Sequence, residues 1–171
     1  MRGDQVLQRA QRLPAAPEEV FAFFADARNL EALTPPLLRF RVITREPIAM
    51  ARGTLIRYRL RVRGVPVSWL TEITEWEPPH HFVDEQREGP YALWHHTHSF
   101  ASIADGDTLM RDVVRYRIGF GALGLIANHL VVRRDLERIF DFRAQRIPAL
   151  LSAVGGSGGE PTSLRRPARR R

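Results

Sequence analysis

The chain of 171 residues contains no cysteine, which excludes disulfides, thiolate nucleophiles and cysteine-ligated metal sites. It also contains no lysine, because all 26 basic residues are arginine, and a GC-rich coding sequence explains this more simply than selection for phosphate contacts. The N-terminal segment lacks the apolar run of a signal peptide, and no apolar stretch reaches the roughly eighteen residues that a membrane span needs. We therefore expect a cytoplasmic protein without integral membrane association.

The net charge of +7 is concentrated near the C-terminus. Residues 155–171 are rich in glycine and serine and carry five arginines against one glutamate, which amounts to +4. This composition predicts a disordered tail, and residues 1–154 form a single predicted domain with nearly balanced charge. No specific nucleic-acid partner is indicated, although a weak contact of the tail with acidic surfaces stays open.

Hydrophobic periodicity predicts one strand, two short helices, six further strands and one long helix. Pro148 should kink or end the long helix. The order predicts an α+β fold, in which a strongly curved seven-stranded antiparallel sheet is covered on its concave face by the long C-terminal helix. Side chains cannot fill the concave face of so curved a sheet, so we expect a cavity beneath the helix. The predicted strands are 5–13, 38–45, 55–63, 67–76, a hairpin over 81–103, and 108–118; the helices are one starting at Pro17, 27–33 and 122–147.

The hairpin that turns at Gly89-Pro90 carries the most informative residues. Because side chains alternate between the faces of a strand, its two strands and the strand that follows collect histidines, carboxylates and aromatic rings on one face. A symmetric turn at Gly106 would set Asp112 opposite Phe100 and Tyr116 opposite His96, whereas a two-residue slip would change the partners but not the face. The residues on this face are Phe82, Asp84, Gln86, Glu88, Trp94, His96, His98, Phe100, Asp112 and Tyr116.

Three interpretations of these polar residues are open. His96 and His98, with a carboxylate from Asp84 or Asp112, have the ligand types of a metal site, but no third histidine falls on the face. A histidine paired with a buried aspartate is also general acid–base machinery, with His96, His98 and Asp112 as catalytic candidates. In the third, structural interpretation the groups hydrogen-bond to one another, because each unpaired buried polar group costs about 1–3 kcal/mol.

Several motifs occur in a recognisable order: Pro17-Glu-Glu-Val-Phe21, Leu33-Thr-Pro-Pro36, Trp76-Glu-Pro-Pro79, Phe82-Val-Asp-Glu-Gln86, and the histidine strand from Trp94 to Phe100. Over residues 5–151 this series resembles the START-like helix-grip (SRPBCC) superfamily, and within it the polyketide cyclase/dehydrase and coenzyme Q-binding branch. The resemblance implies a helix-grip fold. It also implies a cavity under the long helix that holds hydrophobic ligands such as sterols, lipids, quinones or polyketides, and some members are cyclases.

We therefore predict binding of a hydrophobic or amphipathic small molecule, such as a lipid, quinone or polyketide-like compound, without a cofactor or metal. The alternative is a cyclase or dehydratase-like enzyme that uses a His/Asp acid–base pair in the same cavity. The predicted ligand-binding residues are Tyr58, Trp69, Asp84, Gln86, Trp94, His96, His98, Asp112, Tyr116 and Phe140.

Overall fold

A computed structural model describes residues 4–119 and 129–155 of the chain. All neighbouring strands are antiparallel, and the sheet order is β1-β7-β6-β5-β4-β3-β2. The curved seven-stranded sheet with a long C-terminal helix confirms the predicted α+β helix-grip architecture. The elements are β1 (Gln5–Leu13), α1 (Pro17–Ala25), α2 (Asn29–Ala32), β2 (Arg41–Val42), β3 (Leu55–Val62), β4 (Val65–Glu77), β5 (His81–Glu88), β6 (Tyr91–Ser102), β7 (Thr108–Ile118) and α3 (His129–Gly155).

Helix α1 closes one end of the concave face with aromatic side chains. It begins at Pro17, and acidic residues in its first turn complement the positive end of the helix dipole. The buried ring of Phe21 meets those of Trp76, Phe82 and Phe100 at centroid distances of 4.9, 5.9 and 5.6 Å. Ile147 of α3 belongs to the same buried cluster. The C-terminal half of α3 is thus packed tightly against α1 and the sheet.

Helix α3 continues through Pro148 to Gly155, so the prediction that the proline might end the helix is wrong. A proline has no N–H, and its ring therefore leaves the carbonyl four residues earlier without a helical partner. That carbonyl belongs to Ala144, and it accepts a hydrogen bond of 2.7 Å from Nε2 of Gln11 in β1. Leu150 and Leu151 beyond the proline pack against the buried cluster of α1. The predicted helix start near residue 122 and residues 156–171 of the predicted tail lie outside the described residues.

Two further predictions about the strands need correction. The predicted strand over 38–45 shrinks to Arg41–Val42, because residues 36–38 form a 3₁₀ turn and Arg39 has a left-handed backbone with φ of 45°. The hairpin of β6 and β7 is slipped by two residues from the symmetric register, so that Asp112 pairs with His98 and Tyr116 with Trp94. The turn itself explains the slip, since Asp105 as well as Gly106 has positive φ and the loop is therefore centred on Asp105.

Candidate functional site

A cavity of about 350 Å³ lies between the concave face of the sheet and the N-terminal half of α3. Its volume falls within the range of about 300–1,000 Å³ that is usual for small-molecule pockets. The lining is mainly apolar and aromatic, and it is contributed by the segment from α1 to β2, by β3–β6 and by one face of α3. Apolar residues that represent it are Phe40, Tyr58, Leu60, Trp69, Trp94, Leu136 and Phe140.

Charged groups line the cavity at two places with different exposure. Arg63 and Asp135 form an ion pair of 3.1 Å between the β3–β4 turn and α3, and their side chains are 48% and 33% exposed. A second group is buried deep in the sheet and consists of Asp84, His96, His98 and Arg143. The partly exposed pair marks the solvent side of the cavity, and the buried group forms its polar floor.

In the buried group each carboxylate contacts both imidazoles. His98 Nε2 lies 2.9 Å from Asp84 Oδ2, and His96 Nε2 lies 3.1 Å from Asp112 Oδ1. The second nitrogens cross over, with His98 Nδ1 at 2.8 Å from Asp112 and His96 Nδ1 at 3.4 Å from Asp84. The register that pairs Asp112 with His98 and Asp84 with His96 across neighbouring strands produces this closed ring. We call Asp84, His96, His98 and Asp112 the His/Asp ring.

Aromatic side chains hold the two imidazoles in place. The ring of His98 stacks on Phe82 at 4.1 Å, and the two imidazole centroids are 3.7 Å apart. Phe140 of α3 meets His96 at 5.5 Å on another side. Each of these partners restricts the rotation of an imidazole, so the hydrogen bonds to the carboxylates are fixed in geometry.

Arg143 of α3 is a site residue that the sequence analysis did not identify. Only 9% of the residue is exposed, and its guanidinium nitrogen lies 3.9 Å from Asp112 and 3.4 Å from His98 Nδ1. The available signal was its helical position, since an arginine three residues after Phe140 and four before Ile147 falls on the apolar stripe of α3. An arginine on a buried helix face indicates a buried anionic partner.

The His/Asp ring holds its protons unequally. Burial and the charge of His98 lower the pKa of His96 to about 4, so His96 is neutral near pH 7. Burial also acts against a charge on His98, but the hydrogen bonds to Asp112 and Asp84 outweigh it and raise its pKa above the usual value. The pKa values of Asp84 and Asp112 are lowered, because the charges of Arg143 and the imidazoles overcome the cost of burial. Two carboxylates, one guanidinium and one imidazolium then leave the group without net charge.

Several predicted ligand-binding residues do not reach the cavity. The amide of Gln86 bonds to the backbone N–H and C=O of Tyr91 and closes the β5–β6 turn. Tyr116 packs in a hydrophobic cluster with Val114 and Leu136 rather than joining the His/Asp ring. Asp112 touches the ring from the far side, beside β1. The remaining predicted residues, Tyr58, Trp69, Asp84, Trp94, His96, His98 and Phe140, line the cavity.

Asp84, His96 and His98 place one possible metal-ligand atom each within 4.8 Å of one another. Zinc ligands at about 2.0–2.2 Å from the metal must come closer together than this, so the strands or side chains would have to contract. The cation of Arg143 beside Asp112 opposes a second positive charge at the same place. The described residues therefore fit a hydrogen-bonded ring better than a metal centre.

Comparison with known proteins identifies the family. A family model described as polyketide cyclase / dehydrase and lipid transport matches residues 5–152. The chain belongs to this family. A search of curated proteins found no match.

Solved structures share the fold at low sequence identity. The Zhui aromatase/cyclase from Streptomyces sp. R1128 aligns with a TM-score of 0.73 and 13% identity over 92% of this chain and 100% of its own. A START superfamily protein from Mycobacterium smegmatis aligns with a TM-score of 0.64 and 12% identity, covering 89% and 99%. The protein TTHA0849 from Thermus thermophilus gives 0.63 and 18%, covering 91% and 100%. Among the described residues, no helix is both long and apolar enough to cross a membrane.

Proposed function

We propose that the protein binds a hydrophobic or amphipathic small molecule, such as a lipid, quinone or polyketide-like compound, in the cavity between the sheet and α3. The supporting observation is a mostly apolar space of about 350 Å³ with one buried polar end. Burial of apolar ligand surface supplies affinity at about 25 cal/mol per Å², and a few polar groups fix the orientation. The family description, which includes lipid transport, and a cytoplasmic location are both compatible with this function.

Native mass spectrometry of protein purified from its own host tests this function. We expect a fraction of the protein to carry an organic adduct that is released when the protein is denatured, because an apolar cavity of this size retains ligands during purification. A panel of lipids, quinones and aromatic polyketides should raise the thermal midpoint of ligand-free protein through binding to the folded state. Repeated recovery of ligand-free protein together with no thermal shift across the panel would contradict the proposal.

A second candidate is general acid–base catalysis, and the unequal protonation of the two histidines favours it. His96 is neutral and able to accept a proton, while His98 holds one, and both line the cavity beside Asp84. Asp112 does not line the main cavity and would act as a positioning residue that orients the imidazoles.

Exchange of the α-protons of 2-tetralone in D₂O, followed by NMR, measures such proton transfer. We expect the wild-type protein to accelerate exchange and His96→Gln to lose about 100-fold or more of the acceleration, in line with the usual contribution of a general base. His80→Gln, which replaces an exposed histidine, is the control and should keep the rate. Exchange at the buffer rate in the presence of wild-type protein would rule out this candidate.

A further inference from the structure

The guanidinium of Arg143 is buried without enough acceptors for its five N–H donors. Its Nε has no hydrogen-bond partner among the described residues, although the atom is shielded from solvent. The contact with Asp112 is long, at 3.9 Å, and the contact with His98 Nδ1 is 3.4 Å. The same Nδ1 lies 2.8 Å from Asp112, and a protonated Nδ1 points its N–H at that carboxylate and cannot accept from Arg143.

The aromatic neighbours of Arg143 stabilise its charge but do not satisfy its donors. The guanidinium carbon lies 5.0 Å from the ring centroid of Phe24 and 5.8 Å from that of Phe140. A cation–π contact uses the face of an aromatic ring, whereas the N–H bonds of arginine lie in the guanidinium plane and need oxygen acceptors. A buried donor without an acceptor costs about 1–3 kcal/mol, so an acceptor supplied by a ligand would gain most of that free energy.

The charge of the site determines which kind of acceptor fits. Arg143 and a protonated His98 balance Asp84 and Asp112, so the polar floor is neutral before a ligand enters. An anionic ligand would add an uncompensated buried charge near Asp84, whose side chain is 18% exposed. A neutral carbonyl oxygen accepts a hydrogen bond without adding charge.

We propose that Arg143 determines specificity by donating a hydrogen bond to a neutral carbonyl oxygen, so that the cavity selects apolar ketones, quinones or esters oriented with the carbonyl at the polar floor. This inference rests on the proposed binding function and adds the chemical class of the ligand. It assigns to Arg143 the discrimination between an apolar carbonyl compound and a hydrocarbon of the same shape.

The test compares two ligands of almost the same shape, 2-acetonaphthone and 2-isopropenylnaphthalene, in which a methylene group replaces the carbonyl oxygen. Dissociation constants are measured by equilibrium dialysis with wild-type protein. We expect the ketone to bind about tenfold more tightly, because a hydrogen bond to a charged group is stronger than one between neutral groups. The anion 2-naphthoate should bind more weakly than the ketone.

Variants of Arg143 locate the discrimination. In Arg143→Met the ketone should lose about tenfold in affinity while the hydrocarbon keeps its affinity, and Arg143→Lys should retain part of the preference, because a charged donor remains. Arg134→Met, which removes an exposed arginine from the same helix, should change neither value. Circular dichroism identifies any variant that does not fold, and the preference of the wild-type protein is measured independently of the variants.

The outcomes separate this inference from the function on which it rests. Equal affinity of the wild-type protein for ketone and hydrocarbon would overturn the role of Arg143 and leave the apolar binding function supported. Tightest binding of 2-naphthoate would overturn the neutral carbonyl class. Absence of binding by any of the three compounds would contradict both the inference and the proposed function.

Discussion

Replacing Asp112 by alanine is expected to lower the free energy of unfolding by about 3–5 kcal/mol, because it leaves buried charges without their partner. Asp112 lies 2.8 Å from His98 and 3.1 Å from His96, and it is the carboxylate near Arg143. Urea denaturation at pH 7 measures the change. Removal of the carboxylate exposes no new route by which water can solvate Arg143, so the loss cannot be recovered locally.

Asp141→Ala is the matched control for this prediction. Asp141 also pairs with an arginine, Arg9, at 3.4 Å, but its side chain is 62% exposed. Exposed ion pairs contribute about 0–1 kcal/mol, so the control should be within about 1 kcal/mol of wild type. If Asp112→Ala were as mild as Asp141→Ala, the His/Asp ring would not be the stabilising network described above.

The second large effect is a loss of stability by about 3 kcal/mol as the pH falls from about 6.5 to 4. His96 titrates near 4 in the folded protein and near 6.5 in an unfolded chain, so only the unfolded state takes up this proton over that range. Each pKa unit corresponds to about 1.4 kcal/mol. Urea denaturation across this range should show the slope in wild type, and His96→Gln should reduce it.

The other members of the ring set the remaining limits of the pH profile. The pKa of His98 is raised by folding, so its stabilisation is complete below about 6.5 and is lost as the pH rises through its folded value. The lowered pKa values of Asp84 and Asp112 give stabilisation that is present above about 3.9 and is lost at lower pH. We therefore expect maximal stability near pH 6.5. His80→Gln, at an exposed position, is the control, and a flat wild-type profile between pH 4 and 6.5 would contradict the buried, neutral state of His96.

The sequence predicted which residues share a face better than it predicted which residues pair. Strand alternation placed His96, His98, Asp84 and Asp112 correctly, because a two-residue slip preserves the face. Their partners depended on the backbone of one turn residue, Asp105, which adopts a positive φ that its sequence permits but does not require. Alternation also failed for Glu88: a register shift at Leu70 and Thr71 moves it to the outer face, where it pairs with Arg57 at 2.8 Å.

Long-range contacts explain the remaining differences. Pro148 stays inside α3 because Gln11, 133 positions before Ala144, satisfies the carbonyl of that residue, and no local pattern indicates such a bond. Arg143 enters the site because α3 crosses the sheet above Asp112, which only the assembled fold determines. The family resemblance predicted the cavity but not which side chains define its polar end.

The central claim, that the space under α3 binds apolar molecules, is tested most directly by filling it. Leu60 of β3 points into the cavity, and its neighbour Arg59 is exposed on the outer face of the same strand. We predict that Leu60→Trp abolishes binding of 2-isopropenylnaphthalene in equilibrium dialysis, while Arg59→Trp binds as wild type does and both variants remain folded by circular dichroism. Equal binding by a folded Leu60→Trp variant would contradict the account.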